Sequence, residues 1–309
     1  MPPLYVIAGP TASGKTAVAV ELAKLINGEV VSADSMQVYK GMDIGTAKPS
    51  LAEMEGIPHH LIDVIMPDES FSVAEYQKLA NAAIQDIRAR KKVPILAGGT
   101  GFYINAVIYE TEFSQGSSAA EDALRQQYTA IAQEKGADFL HEKLCQIDPA
   151  AAKAIHPNNI KRVARALSYC ETTGQLFSAH NAREKSKHLP LPNTIIYTLN
   201  HSRETLYHRI NARTIMMWKA GLPNEVRKLL LQGYHLGLAA MQGIGYKETI
   251  KFLNAEFTEK EVIAAIQQST RHYAKRQETW FRHQSPDARP IFAEGKTAHA
   301  LACGILKGV

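Results

Sequence analysis

Hydrophobic and polar positions change period several times along this 309-residue chain. In the first third, short apolar runs rich in β-branched residues, Tyr5 to Ala8, Val30 to Ser32, Leu61 to Val64 and Pro94 to Ala97, alternate with amphipathic stretches near 16–26, 72–90 and 101–109. That alternation predicts strands and crossover helices of a parallel α/β sheet. From about Glu112 the apolar residues recur at helical spacing without a convincing strand, up to a polar, basic stretch from Asn181 to His188. After Pro190 and Pro192, Thr194 to Leu199 reads as a buried strand that returns to the sheet. Helices are expected over Arg203 to Ala220, Pro223 to Gln232, Tyr246 to Asn254 and Thr258 to about Arg282, with a short closing strand at Pro290 to Phe292. The expected organisation is a core domain, 1–112 and 196–309, interrupted by an all-helical insertion over 113–195. No internal repeat or low-complexity tract interrupts it.

Composition narrows the class. Hydrophobic residues make up 45% of the chain, ample for a buried core, and no apolar run approaches the length of a membrane span. The first residues carry no basic segment ahead of an apolar stretch, so a signal peptide is not expected and the compartment is expected to be cytoplasmic. Cys145, Cys170 and Cys303 are odd in number and far apart, which argues against a disulfide framework or a zinc site and predicts buried thiols. A net charge of +5 is compatible with a polyanionic partner without demanding one.

The chemistry begins at GPTASGKT, Gly9 to Thr16, directly behind the first apolar run. Gly9, Gly14, Lys15 and Thr16 match G-x-x-x-x-G-K-[ST] between a predicted strand and a predicted helix, the setting a P-loop requires. Its glycines bring backbone N–H groups onto phosphate oxygens at a helix N-terminus; Lys15 adds charge and Thr16 a hydroxyl for a metal. ATP or GTP is the default occupant of such a loop, and any diphosphate would also fit.

Two further polar loops are expected at the same sheet edge, where ligands of α/β proteins gather. DSMQVYKGMDIGTAKP follows the second strand and is too rich in Gly, Ser and Asp to read as core. Asp34 there suits a general base or metal ligand, with Ser35 and Gln37 as substrate contacts, although a DS pair equally serves as a turn or helix cap. GGTGFY, Gly98 to Tyr103, is a second glycine-rich strand-to-helix turn and carries Thr100. His59 and His60 are adjacent at a strand, so they point to opposite faces and do not suggest one metal. Arg209 and Arg213, four apart on a predicted helix with Arg203 and Lys219, could meet a leaving phosphate or form a solvated face. In TRHYAKRQETWFR, Arg271, Lys275, Arg276 and Arg282 interleave with Tyr273, Trp280 and Phe281, a pattern that suits phosphate contact and base stacking. A second basic cluster, Lys153, Lys161, Arg162 and Arg165, lies in the insertion, and two such patches suggest a bound nucleic acid.

Together GPTASGKT, DSMQVYKGMDIGTAKP, PHHLID, GGTGFY, HPNNIKRVARAL, ARTIMMWKAGLPNEV, GIGYKE and TRHYAKRQETWFR, in that order from residue 9 to 282, resemble the bacterial-type tRNA dimethylallyltransferases, or tRNA isopentenyltransferases. The resemblance implies a P-loop NTPase-like, nucleotide-kinase-like parallel sheet with an inserted helical domain. It implies that Gly9, Pro10, Thr11, Ala12, Ser13, Gly14, Lys15 and Thr16 hold the diphosphate of dimethylallyl diphosphate, with magnesium (Mg2+) at Thr16. The implied reaction moves the dimethylallyl group to N6 of the adenosine immediately 3′ of the anticodon. Asp34 is implied as base, Thr100 as its partner at the amine, and Arg213 as a cation for the leaving group. Implied tRNA contacts are Asp34, Ser35, Met36, Gln37, Thr100, Lys161, Arg162, Val163, Ala164, Arg165 and Arg125; Arg271, Lys275 and Arg276 join them from the basic pattern. A monomer without an obligate protein partner is expected. The alternatives are an ATP-dependent nucleoside or small-molecule kinase, disfavoured because Pro94 to Ala97 runs into GGTG instead of a Walker-B Asp, and a non-catalytic RNA-binding switch.

Overall fold

A computed structural model describes residues 1–109, 119–186 and 190–308. The expected start of the insertion at 113, and Lys187 and His188 of the polar stretch, lie outside the described residues. The chain divides into two compact units, one of residues 1–110 with 191–309, the other of 111–190.

The larger unit is built on a six-stranded sheet of β1 (Leu4–Ala8), β2 (Gly28–Ala33), β3 (His59–His60), β4 (Val93–Gly98), β5 (Thr194–Asn200) and β6 (Arg289–Phe292), in the order β3-β2-β4-β1-β5-β6. Every pairing is parallel, with Val6 opposite Leu96 on one side and Ile196 on the other. A parallel sheet must bury both faces, and the two-residue period of β1 serves that need. Leu4, Val6 and Ala8 pack beneath α3 (Val73–Ala89) and α4 (Gly101–Ile108). Ile7 faces the other way, onto α1 (Lys15–Ile26) and α14 (Ala298–Lys307). Helix starts follow local chemistry: Ser72 caps α3 through a reciprocal bond pair with Glu75.

Several expectations need correction. The apolar run Leu61 to Val64 is not a strand; the sheet takes His59–His60 instead, and Leu61 and Asp63 bend away with φ of 64° and 55°. The N–H groups of Val64 and Ile65 bond to Val38 O, so a tertiary loop, not the sheet, claims that run. The segment after β2 is not wholly polar surface. Val38, Tyr39 and Met42 are buried against α11 (Leu222–Leu231) and α12 (Tyr246–Leu253), together with Val262 and Ile266 of α13 (Glu259–Gln284). Of the three cysteines only Cys170 is buried; Cys145 is exposed and Cys303 half-buried. The terminal helix α14 and the single turn α2 (Leu51–Met54) were not expected.

Among its described residues the smaller unit's regular structure is all helix: α5 (Ala119–Lys135), α6 (Ala137–Ile147), α7 (Pro149–Ala154), α8 (Ile160–Thr173) and α9 (Phe177–Ser186). It has its own core, centred on Tyr128, Leu140, Leu144, Val163, Leu167 and Phe177. Buried Asp148 ties it together, capping α7 through Ala151 N–H and also accepting Ser178 N–H. The last helix of the larger unit still to be placed, α10 (Arg203–Lys219), packs against α13.

Candidate active site

The carboxyl ends of β1, β2 and β4 open into a cavity of about 460 Å³. Its walls are Thr11, Ala12, Gly14, Lys15 and Thr16 of the P-loop, Asp34, Gln37 and Glu53 after β2, Gly98 and Gly99 after β4, and His208, Arg209 and Arg213 of α10. Tyr273 and Gln277 of α13 complete it, so the three glycine- and Asp-rich loops expected at one sheet edge do meet there.

The P-loop takes a shape few sequences tolerate. Ala12 and Gly14 both have left-handed φ, 63° and 92°, interleaved with ordinary angles, which turns successive N–H groups toward one side. Lys15 Nζ lies 2.7 Å from Pro10 O, folded back across its own loop. Burial pushes the Lys15 ammonium down to about 7, opposed by Asp34 and reinforced by Arg213. Burial likewise lowers the Arg213 guanidinium, which Asp34 offsets and Arg209 aggravates. Arg213 Nη2 donates to Thr11 Oγ1, and a side chain at Gly14 would come within 3.3 Å of Arg209 Nη2. Three cationic side chains, Lys15, Arg209 and Arg213, thus crowd one loop beside Asp34. Ser13 Oγ is buried there without a hydrogen-bond partner. An anion in the loop would relieve the cation crowding.

Asp34 has both properties weighed from sequence. Its Oδ1 caps the turn by accepting the N–H of Met36 at 2.8 Å and of Gln37 at 3.3 Å, while the half-buried residue lines the cavity. Thr100 braces it: Oγ1 accepts Ser35 N–H at 3.0 Å and Thr100 N–H donates to Ala33 O. This close approach of the loops after β2 and β4 requires glycine at 98, where a Cβ would sit 2.1 Å from Ala33 O. Tyr273 contributes its phenol, raised to about 12 mainly by burial. In the histidine pair, His60 Nε2 lies 2.8 Å from Glu29 and His59 Nδ1 2.8 Å from Ile57 O.

Comparison with known proteins adds an independent line. The IPP transferase family profile matches residues 37–284. This chain belongs to the IPP transferase family. A tRNA dimethylallyltransferase of Acetivibrio thermocellus is 50% identical over 279 residues, covering 90% of this chain and 88% of that protein. That of Caldanaerobacter subterraneus subsp. tengcongensis is 47% identical over 280 residues, with 90% and 88% covered. Among solved structures, a tRNA isopentenylpyrophosphate transferase of Staphylococcus epidermidis aligns with TM-score 0.72 at 41% identity, covering 100% of this chain and 98% of that one. A eukaryotic dimethylallyltransferase described as acting on tRNA aligns with TM-score 0.80 at 28% identity, covering 96% and 75%.

The remaining residues expected to touch tRNA in this IPP transferase fall into distinct environments. Ser35, Met36 and Gln37 are half-buried beside Asp34, and Gln37 is pinned between Ser32 Oγ and Ala47 O. On α8, Lys161, Arg162 and Arg165 are exposed, whereas Val163 and Ala164 are fully buried in the insertion's own core. Side-chain contact from Val163 and Ala164 is therefore corrected to a packing role. Arg125 is engaged by Glu121 and Asp122 of its own helix, at 2.6 and 3.3 Å. Arg271 turns to α10, bonding Asn211 Oδ1 and covering the Tyr207 ring, while Arg276 lies over Tyr273 and Lys275 is exposed.

Two residues of the site escaped sequence reasoning. Glu225 receives the N–H groups of Asp43, Ile44 and Gly45 at 2.7–3.0 Å and the Tyr246 hydroxyl at 2.7 Å, fixing the GMDIG loop that walls the cavity with Thr46 and Ala47. Gln277 accepts Thr11 N–H and donates to Gly99 O, both at 2.8 Å. One signal was present: Val262, Ile266, Thr270, Ala274, Gln277 and Phe281 form the buried stripe of α13, and a glutamine on such a stripe must find partners inside.

Proposed function

We propose that this chain transfers the dimethylallyl group of dimethylallyl diphosphate to N6 of the adenosine immediately 3′ of the anticodon in tRNA, releasing diphosphate. The observation that carries the reading is one cavity in which the carboxylate of Asp34 stands with a phosphate loop and its cations, Lys15, Arg209 and Arg213. The adenine amine is a poor nucleophile because its lone pair is delocalised into the ring. Asp34 takes its proton as the C–N bond forms at the allylic carbon and the C–O bond to diphosphate breaks. Thr100 holds the loop that carries Asp34 and orients the amine. Charge gathering on the departing diphosphate is met by Lys15, Arg213, Arg209 and the N–H groups of Ser13 and Gly14.

The residues present suit magnesium carried in with the diphosphate. Thr16 lines the cavity with a hydroxyl, and no group of three or more His, Cys, Asp or Glu side chains among the described residues could hold a metal alone. Phosphate oxygens, water and one hydroxyl form the hard oxygen set that magnesium prefers, and the bound ion would neutralise leaving-group charge.

The target base must leave its stack, at a cost of roughly a few kcal/mol, which Ser35, Met36, Gln37 and Thr100 offset at the cavity. Lys275 and Arg276, together with Lys161, Arg162, Arg165 and Arg125 of the insertion, supply phosphate contacts; the insertion is taken as 113–195. Arg125 must exchange its own helix's carboxylates for phosphate to take part. The protein acts as a cytoplasmic monomer without an obligate protein partner. No described helix is long and apolar enough to cross a membrane. The kinase alternative draws no support from the relatives, whose names describe transfer to tRNA.

The test is incubation with magnesium, dimethylallyl diphosphate and an unmodified anticodon stem-loop bearing an A-A-A run, without ATP, followed by mass spectrometry. One added C5H8 unit, absent with Asp34→Ala, is expected. No adduct from the unaltered protein, with ATP consumed on a small acceptor instead, would establish the kinase.

A further inference from the structure

Resting on the transfer reading above, we infer that Gln277 is a positioning residue that sets the gap between the donor's allylic carbon and the acceptor amine. Gln277 is 6% exposed and spans two loops that belong to different substrates. Its Oε1 fixes the P-loop at Thr11 N–H, and Thr11 Oγ1 in turn receives Arg213. Its Nε2 fixes the loop after β4 at Gly99 O, and the next residue, Thr100, holds Ser35 N–H beside Asp34. The amide orientation is dictated by its partners, since one end meets a donor and the other an acceptor. Gly99 is part of the same device: a Cβ there would lie 2.3 Å from Nε2 and expel the amide. Gln277 itself lies on α13, so the strut is anchored on a helix rather than a loop.

The donor loop fixes the carbon and its leaving oxygen; the acceptor side fixes the nitrogen. Displacement needs the three in line at near-contact distance, and a misplacement of about an ångström costs on the order of 100-fold in rate. Loosening this strut therefore lowers kcat while leaving each substrate's own contacts in place.

Gln277→Met removes both bonds at similar volume. Gln277→Glu keeps the acceptor for Thr11 N–H but, when ionised, opposes Gly99 O with a second acceptor; protonation restores the donor, and burial raises a carboxyl's pKa toward the assay range. Steady-state kinetics on dimethylallyl diphosphate and the stem-loop are measured from pH 6 to 8.5, with thermal melting as a fold control. For Gln277→Met the expected result is a kcat loss of about 100-fold with both KM values within about threefold. For Gln277→Glu, kcat relative to the unaltered protein is expected to rise about tenfold from pH 8.5 to 6, as one titrating proton allows. An unchanged kcat in Gln277→Met, or a raised donor KM with kcat intact, overturns the inference. So does a pH-independent kcat ratio for Gln277→Glu, which decides alone if the methionine variant unfolds. Failure of the unaltered protein to transfer would overturn the functional reading itself; normal transfer with insensitive variants overturns only the strut.

Discussion

Without ligand, the P-loop lysine should destabilise the protein it serves. Lys15 is held beside Arg213 with only the Pro10 carbonyl as a hydrogen-bond partner, and burial lowers its ammonium from 10.5 to about 7. A shift of that size corresponds to roughly 5 kcal/mol of preference for the neutral form. Lys15 is only half-buried, so solvent relieves much of this, leaving about 1–2 kcal/mol. Its sign follows from linkage: the folded pKa lies below the unfolded one, so the penalty is full below about 7 and vanishes as pH climbs toward the unfolded value. Lys15→Met should therefore raise Tm by about 2–4 °C at pH 6.5, and the gain should fade by pH 10. Adding magnesium diphosphate should reverse the ranking, because the lysine protein gains more binding energy from the anion than a variant left with Arg209, Arg213 and the loop N–H groups. Differential scanning calorimetry at pH 6.5, 8 and 10, with and without diphosphate, makes the comparison. A methionine variant less stable than the parent at pH 6.5 without ligand, or a gain that ignores pH, would refute the reasoning.

Three further outcomes follow from other parts of the molecule. Glu29 is 1% exposed and bound by Arg90, Lys92 and His60 at 2.5–2.8 Å, with Arg90 foremost in holding its carboxyl far below the usual range. Its folded pKa is depressed, so its stabilisation is present above the unfolded value near pH 4.3 and is lost on acidification. Glu29→Gln should cost about 3 kcal/mol at pH 7 by chemical denaturation, and the gap to the parent should narrow below about pH 4. Glu225→Gln withdraws the charge shared by three backbone N–H groups; it should raise the stem-loop KM several-fold and lower stability by about 1–3 kcal/mol, read by kinetics and urea melts. Stem-loop affinity should fall steeply with salt, and Lys161→Ala with Arg162→Ala should flatten the log–log slope by about 2 units, measured by fluorescence anisotropy.

Strands β1, β4 and β5 were legible because each centres on apolar, largely β-branched residues bounded by Gly, Pro or polar loops. Leu61 to Val64 misled because an apolar run says nothing of the left-handed φ at Leu61 and Asp63, which the pairing of Val64 and Ile65 with Val38 imposes. Val38 and Met42 hid for a similar reason: their burial depends on α11 and α12, nearly two hundred residues away in sequence. The meeting of Gly9 to Thr16, Asp34 and the GGTG loop at one sheet edge could be read locally, since glycine-rich turns and caps are short-range devices. Glu225 and Gln277 could not, because each acts only through loops that the fold brings to it.

The most direct measurement offers the enzyme two stem-loops identical except at the nucleotide 3′ of the anticodon, adenosine in one and purine riboside, which lacks the exocyclic amine, in the other. With magnesium, dimethylallyl diphosphate and no ATP, the predicted result is one C5H8 unit and one diphosphate per turnover on adenosine, and neither on purine riboside. Equal modification of both, or adenosine modification only when ATP is supplied, would contradict alkyl transfer to N6 at the cavity that holds Asp34.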